Sequence, residues 1–274
     1  YRRPDSPASP RLHVLFIGFQ ALSREMILQT ALTAHYGDFR LPRITVLCRE
    51  EDRDQVARFL YRYPHLEKTC DISFLYADPM TVAFENWEQM QSSEPFSVCY
   101  VAMQHDVEGI LTARRLNRLR RLAQMPPVNF IVCLNQQNFL AEIIDDDFLP
   151  ISTDKHALPD FEPIEYFETL DETLSIDIVV NESLDVTART MHNAYVATQL
   201  ERGETPEHNA SLIDWSDLPE HKKQANRNAA AHIDIKLRIS GAAARDLDSP
   251  APEIDFPPDD AILETLAQVE HRRW

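Results

Sequence analysis

The stretch Gly18-Phe19-Gln20-Ala21-Leu22-Ser23 directly follows an apolar run at residues 12–17. A strand that ends in such a turn leaves backbone amides to meet an anion. The full phosphate-cradling pattern spaces three glycines along the turn, G-x-G-x-x-G. Only the first survives here. Gln20 stands where a glycine lets the backbone approach a phosphate, and Ser23, small and hydroxyl-bearing, replaces the third. At the end of the next apolar run, residues 44–48, a carboxylate would ordinarily accept hydrogen bonds from a ribose. The chain has Cys48-Arg49 there, followed by Glu50-Glu51-Asp52. Arg49 suits a phosphate better than a bare ribose, which favours a phosphorylated or altered nucleotide (NADP, or an ADP-ribose-like molecule) over NAD. The competing expectation is a dead turn on a sheet that serves only as a scaffold.

A second group of residues lies near the other end of the chain. Ala188, His192 and Tyr195 are echoed by Ala267, His271 and Trp274, each set spaced A-x-x-x-H-x-x-aromatic. On a helix that spacing puts all three on one face. Between the two sets runs Asp214-Trp215-Ser216-Asp217-Leu218-Pro219, leading to Asn226-Arg227. An aromatic plane, an arginine, and a histidine or asparagine are what a flat anionic ligand needs for stacking, charge pairing and edge hydrogen bonds. His192, Tyr195, Trp215, Asn226, Arg227, His271 and Trp274 are therefore candidate ligand residues. They serve equally well as the core and internal ties of a small helical domain.

Short apolar runs alternate with amphipathic stretches through the first half, the pattern of βαβ units around a parallel sheet covered on both faces. Strands are expected at 12–17, 44–48, 72–76, 96–102 and 128–134, with a possible sixth at 176–180, and helices at 22–34, 50–63, 107–124 and 136–145. This is an α/β, doubly wound, Rossmann-like domain over residues 12–181, after a Pro/Ser/Arg-rich leader at 1–11. From 182 the strand pattern stops. Helices expected at 184–201, 218–240 and 259–274 make a small all-α domain, 182–274. On the 107–124 helix, Arg114, Arg115, Arg118, Arg120 and Arg121 could grip an anion, but a solvated face with some local ion pairs is the preferred reading. Asp145-Asp146-Asp147 point in different directions on any regular element and read as a solvated helix end.

Composition narrows the partners. With 27 Lys and Arg against 44 Asp and Glu, the formal charge is −17, which repels phosphate backbones and anionic lipid, so nucleic acid is not an expected partner. Cys48, Cys70, Cys99 and Cys133 form no C-x-x-C pair and are expected as buried thiols in a reducing, cytoplasmic setting. No apolar run reaches the roughly 18–20 residues of a membrane helix. The start at Tyr1 and the end inside a helical pattern suggest a piece of a longer chain, in which a membrane-channel or effector segment could precede or follow.

The segments LHVLFIGFQALSREMILQTA, ITVLCRE and FLYADPMT resemble the NAD-binding domain of Trk-type potassium-uptake regulators, with Ala77-Asp78-Pro79 standing for that family's G-D-A-[ST] segment. The resemblance adds Asp78 to Gly18–Ser23 and Arg49 as nucleotide-binding positions, and it implies ligand sensing without turnover. Trp215, Leu218, Lys223, Asn226 and Arg227, with Leu266, Ala267, His271 and Trp274, resemble the two parts of a ryanodine-receptor repeat. No Walker loop, G-x-S-x-G or H-E-x-x-H motif is present, and the three consecutive acids Asp145, Asp146 and Asp147 do not make a metal site. The expectation is a non-catalytic, dimeric nucleotide sensor whose ligand binds the opening turn or the helical module. An NAD(P)-dependent oxidoreductase and a protein-interaction scaffold are the alternatives.

Overall fold

Five of the expected apolar runs fold as strands because each is rich in β-branched and aromatic residues and is bounded by polar turns. The computed structural model describes residues 11–36, 40–82, 94–135, 164–168, 185–242 and 259–273. Its strands are β1 His13–Ile17, β2 Arg43–Cys48, β3 Asp71–Tyr76, β4 Val98–Val101, β5 Asn129–Leu134 and β6 Glu165–Glu168. All pair in parallel, in the order β3-β2-β1-β4-β5-β6. The order reverses between β1 and β4, which is where a Rossmann-like sheet opens a crevice at its carboxyl edge. The tips of β2, β1 and β4 finish level there, Ile17 lying beside both Leu47 and Val101.

Among the described residues three helices cover this sheet: α1 Ala21–Thr33, α2 Arg53–Arg62 after a single 3₁₀ turn at Glu50–Asp52, and α3 Asp106–Leu122. Alternate residues of β1 serve the two faces. Val14 and Phe16 pack with Ile27, Ala31, Val56 and Phe59, while Leu15 and Ile17 pack with Ile110, Ala113, Leu116 and Val132. Burying each such side chain stabilises the fold by roughly 1.5–3 kcal/mol. β6 was not foreseen in the sequence, and the strand considered at 176–180, the helix at 136–145 and the Asp145–147 run lie outside the described residues.

One arginine of α3 departs from the expected solvated face. Arg120 is buried, and its guanidinium donates to Asn117 Oδ1 at 3.1 Å and to the carbonyls of Met125 (3.2 Å) and Pro126 (3.0 Å). It satisfies backbone acceptors just past the helix end, where a positive charge also meets the negative end of the dipole. The four cysteines are free and buried. Burial pushes the Cys48 thiol up to about 12 and those of Cys70 and Cys133 up to about 11, which makes them poor nucleophiles at neutral pH.

The helices after residue 185 belong to a second compact unit. They are α4 Val186–Glu201, α5 Glu220–Ala231, α6 Ile233–Ile239 and α7 Asp260–Arg273. The expected 218–240 helix is thus two, separated at His232. Its apolar clusters are small, Ala188, Trp215 and Leu218 in one and Ile239, Leu266 and Val269 in the other, and no residue of α5 is fully buried. Polar ties must supply part of the cohesion. No helix among the described residues is long and apolar enough to cross a membrane.

At the amino end of the sheet, His13 is wholly buried; its Nδ1 donates to the Glu94 carbonyl at 2.9 Å, and its Nε2 faces the Thr45 hydroxyl at 2.8 Å. Since the carbonyl can only accept, the neutral ring carries its proton on Nδ1 and accepts from Thr45. Burial holds the ring below its ordinary pKa of 6.5, aided by the Arg43 and Arg11 charges against the opposing Glu94 contacts. The unfolded chain therefore binds the proton first as pH falls. This contribution to stability is whole above about pH 6.5 and declines as the pH drops toward the depressed native value. Urea unfolding between pH 8 and 5 is expected to show a decline that His13→Gln flattens.

Candidate functional site

Gly18 closes β1 with φ +92°, a conformation that L side chains rarely adopt. Its amide donates to the Leu47 carbonyl at 2.9 Å, and a Cβ placed on it would lie 2.2 Å from the Ala102 carbonyl oxygen. The surviving glycine is therefore demanded twice, by the turn and by the close approach of the segment after β4. Phe19 drives its ring into the core, edge-on to Phe59 and Phe74 at 5.5 and 5.7 Å. Gln20 is the extended N-cap of α1 and makes no side-chain cap. Ala21 is exposed, Leu22 is half-buried, and buried Ser23 donates its hydroxyl to the Gln20 carbonyl at 3.1 Å. The turn thus presents a helix N-terminus whose first amides take no side-chain acceptor from the N-cap residue.

Arg49 leaves the tip of β2 and reaches toward α3. Its backbone amide donates to Asp52 Oδ2 at 3.0 Å, which fixes where the side chain departs. Its Nη2 donates to Glu108 Oε2 at 2.8 Å, its Nε lies 3.9 Å from Asp78 Oδ1, and its Nη1 lies 4.0 Å from Glu51. β1 stands between β2 and β4 in the sheet, and Glu108 is in the first turn of the helix that follows β4. The ion pair accordingly passes over the end of β1, above the glycine turn. Burial works against the Arg49 charge, but the Glu108 hydrogen bond and the charges of Glu108, Asp78 and Glu51 outweigh it and raise its pKa above the usual arginine value. Asp78 is also committed to its own turn, accepting from the Met80 amide at 3.0 Å.

Beyond Glu108, buried Asp106 accepts from both nitrogens of Asn135, at 2.9 Å from the amide and 3.1 Å from Nδ2. Asn135 Nδ2 also donates to the Met103 carbonyl at 2.9 Å. These bonds lock the segments after β4 and β5 together and set the orientation of the first turn of α3, and with it Glu108. Neither Glu108 nor the Asp106–Asn135 pair was singled out from sequence. Their one sequence signal was two acids at the head of a strongly patterned helix, which reads as ordinary dipole compensation.

The candidates in the helical unit separate by role. His192 is buried on α4, and its Nε2 meets the Ile213 carbonyl at 2.8 Å. Trp215 packs edge-on to it at 5.9 Å and is 5% exposed. Arg227 grips Asp185 with two bonds of 2.7 Å and also pairs with Glu220. The Tyr195 hydroxyl accepts from Asn209 Nδ2 at 2.9 Å, Asn226 Nδ2 donates one turn back to the Lys222 carbonyl at 2.9 Å, and His271 is exposed. Trp274 lies outside the described residues. His192, Trp215 and Arg227 sit on the α4–α5 side of the unit, where each is engaged in holding the helices and the Asp214–Trp215 loop together. No group of three or more His, Cys, Asp or Glu that could hold a metal ion occurs among the described residues.

Comparison with known protein families gives no match, and none of the curated proteins matches either.

Two substitutions test the geometry. Gly18→Ala forces a side chain onto the Ala102 carbonyl in a left-handed backbone and is expected to cost at least about 2 kcal/mol in urea unfolding. Arg227→Met leaves Asp185 uncompensated and is expected to cost about 1–3 kcal/mol at pH 7. Hydrogen bonds from Arg227 hold the Asp185 carboxyl below 3.8 against the opposing effect of burial, so its contribution is whole above about pH 3.8 and lost as the pH falls through the native value. The gap between wild type and Arg227→Met should therefore close in acid.

Proposed function

We propose that the sheet unit is a non-catalytic nucleotide-binding regulator whose ligand places a phosphate on Arg49. The observation that carries this reading is the guanidinium held across the end of β1 at the position where a dinucleotide fold contacts the adenosine ribose. Residues present at that edge suit a nucleotide of the NADP kind, phosphorylated on its adenosine ribose: first-turn amides of α1 for a pyrophosphate, and an arginine in place of the ribose-binding acid. A bare ribose finds no such acid at Cys48-Arg49.

Magnitude decides whether the Arg49–Glu108 pair can open. Both side chains are about one-third exposed, at 34% and 35%. An ion pair of that exposure is worth between roughly 0 and 1 kcal/mol, and a phosphate dianion offers Arg49 stronger, bidentate acceptance than a single carboxylate oxygen. A ligand therefore exchanges one partner for another at small cost. Released Glu108 sits on α3, so the exchange changes the electrostatics at the head of that helix, which is how binding would be signalled.

The same saturation of Arg49 by Glu108, Asp78 and Glu51 favours a second reading, a scaffold in which the clasp simply seals the sheet edge. Calorimetric titration with NAD, NADP, ADP-ribose and cyclic dinucleotides separates the two. The regulator reading expects saturable binding with NADP favoured over NAD by about tenfold, or ~1.4 kcal/mol. It further expects Arg49→Met to erase the preference, and Glu108→Gln, which removes the competing charge, to tighten NADP severalfold. No heat with any of the nucleotides would leave the scaffold.

A further inference from the structure

The helical unit contains a cleft of about 380 Å³ lined by Arg189, Asn193, Asp214, Trp215, Ser216 and Lys223. Of these six, only Trp215 was among the candidate ligand residues read from the sequence. A volume of this order lies within the range of small-molecule sites. The residues come from three elements: Arg189 and Asn193 are one turn apart on α4, Asp214–Ser216 form the connecting loop, and Lys223 is on α5.

Two features set its chemistry. The first is an excess of donors. Arg189 and Lys223 bring two positive charges, and Asn193 brings an amide. The only carboxylate among the described residues of the lining, Asp214, spends Oδ1 on the Ser216 amide and hydroxyl, at 2.9 and 2.7 Å. Those Ser216 bonds hold Asp214 below its ordinary pKa, helped by the nearby Arg189 charge, so it stays ionised. The second is the indole of Trp215. It is nearly buried, with the Lys223 ammonium 5.8 Å from its ring centroid, and its Nε1–H has no hydrogen-bond partner among the described residues. A buried N–H without an acceptor is costly to a fold and is rarely left so. His192 and Leu218 hold the ring in place against α4, so the donor cannot swing away to find one.

We propose that this cleft binds a small organic oxyanion, a phosphate monoester or a free carboxylate that also carries a hydroxyl. Its oxygens take the Lys223 and Arg189 charges and supply the acceptor that Trp215 Nε1 lacks. Its hydroxyl donates to the second oxygen of Asp214. Its described lining falls within residues 189–223 and does not include Arg49.

The test uses the full chain, labelled with ¹⁵N, and follows the indole N–H signal of Trp215, assigned by its loss in Trp215→Phe. The probes are inorganic phosphate, ribose 5-phosphate and lactate. The proposal expects a saturable shift of that signal with ribose 5-phosphate or lactate, whichever oxyanion the site prefers, and weaker saturation with inorganic phosphate, which has no carbon-borne hydroxyl. Lys223→Gln is expected to weaken the apparent affinity at least tenfold and Asn193→Ala about threefold, each with an unchanged helical circular dichroism spectrum. Arg49→Met should leave the titration as it is, so failure here is separable from failure of the nucleotide reading. A Trp215 signal that no probe moves overturns the proposal, as does a shift that survives Lys223→Gln at full strength. Since Asn193 is exposed and Lys223 half-buried, loss of fold is not the expected confounder, and the two variants check one another.

Discussion

The hydrogen-bonded ion pair between Arg49 and Glu108 is the constraint on which the reading of the sheet edge depends. It exists because the strand order places β1 between the strand that delivers the arginine and the helix that delivers the glutamate. Remove that order and the two residues have no reason to meet. The pair's strength matters as much as its place. A buried ion pair would have been a permanent fastening, costly to break because one charge would be left stranded. At one-third exposure the partners can exchange water and anions, and the clasp can serve as a competitor for a ligand.

Support for the clasp comes from rigid neighbours. Asp52 fixes the Arg49 backbone, Asp106 and Asn135 fix the start of α3, and Gly18 lets the segment after β4 close onto the turn after β1. Each of these ties down backbone, through a short acidic or amide side chain or, at Gly18, through the absence of one. Together they position two flexible ones. The helical unit uses the opposite economy: with few apolar residues to bury, it relies on Arg227 with Asp185 and on His192 with the Ile213 carbonyl to hold α4, α5 and the loop that carries Trp215.

Much of the sheet was legible because its strands are buried on both faces and so read as unbroken apolar runs. β6 escaped notice for the converse reason: Glu165 and Glu168 occupy half of a four-residue edge strand that needs only one neighbour. The break at His232 carries no glycine or proline to announce it. Arg49 and Gly18 could be picked out as unusual residues at expected positions, but the partners of Arg49 could not, since 59 residues separate it from Glu108 and only the strand order joins them. Arg120 read in the sequence like the other arginines of α3, and only the carbonyls of Met125 and Pro126 give it a buried role. In the helical unit, pattern drew attention to aromatics and histidines, whereas the cleft is lined largely by polar residues that pattern cannot distinguish from a solvated face.

The most direct check on the central claim is the side-chain Nε–H signal of Arg49 in ¹⁵N-labelled protein, followed as NADP and then NAD are added. The account predicts that NADP moves this signal to saturation as Glu108 is displaced, while NAD at the same occupancy leaves it nearly in place. A nucleotide that binds with the Arg49 signal unmoved, or equal shifts from both dinucleotides, would contradict it.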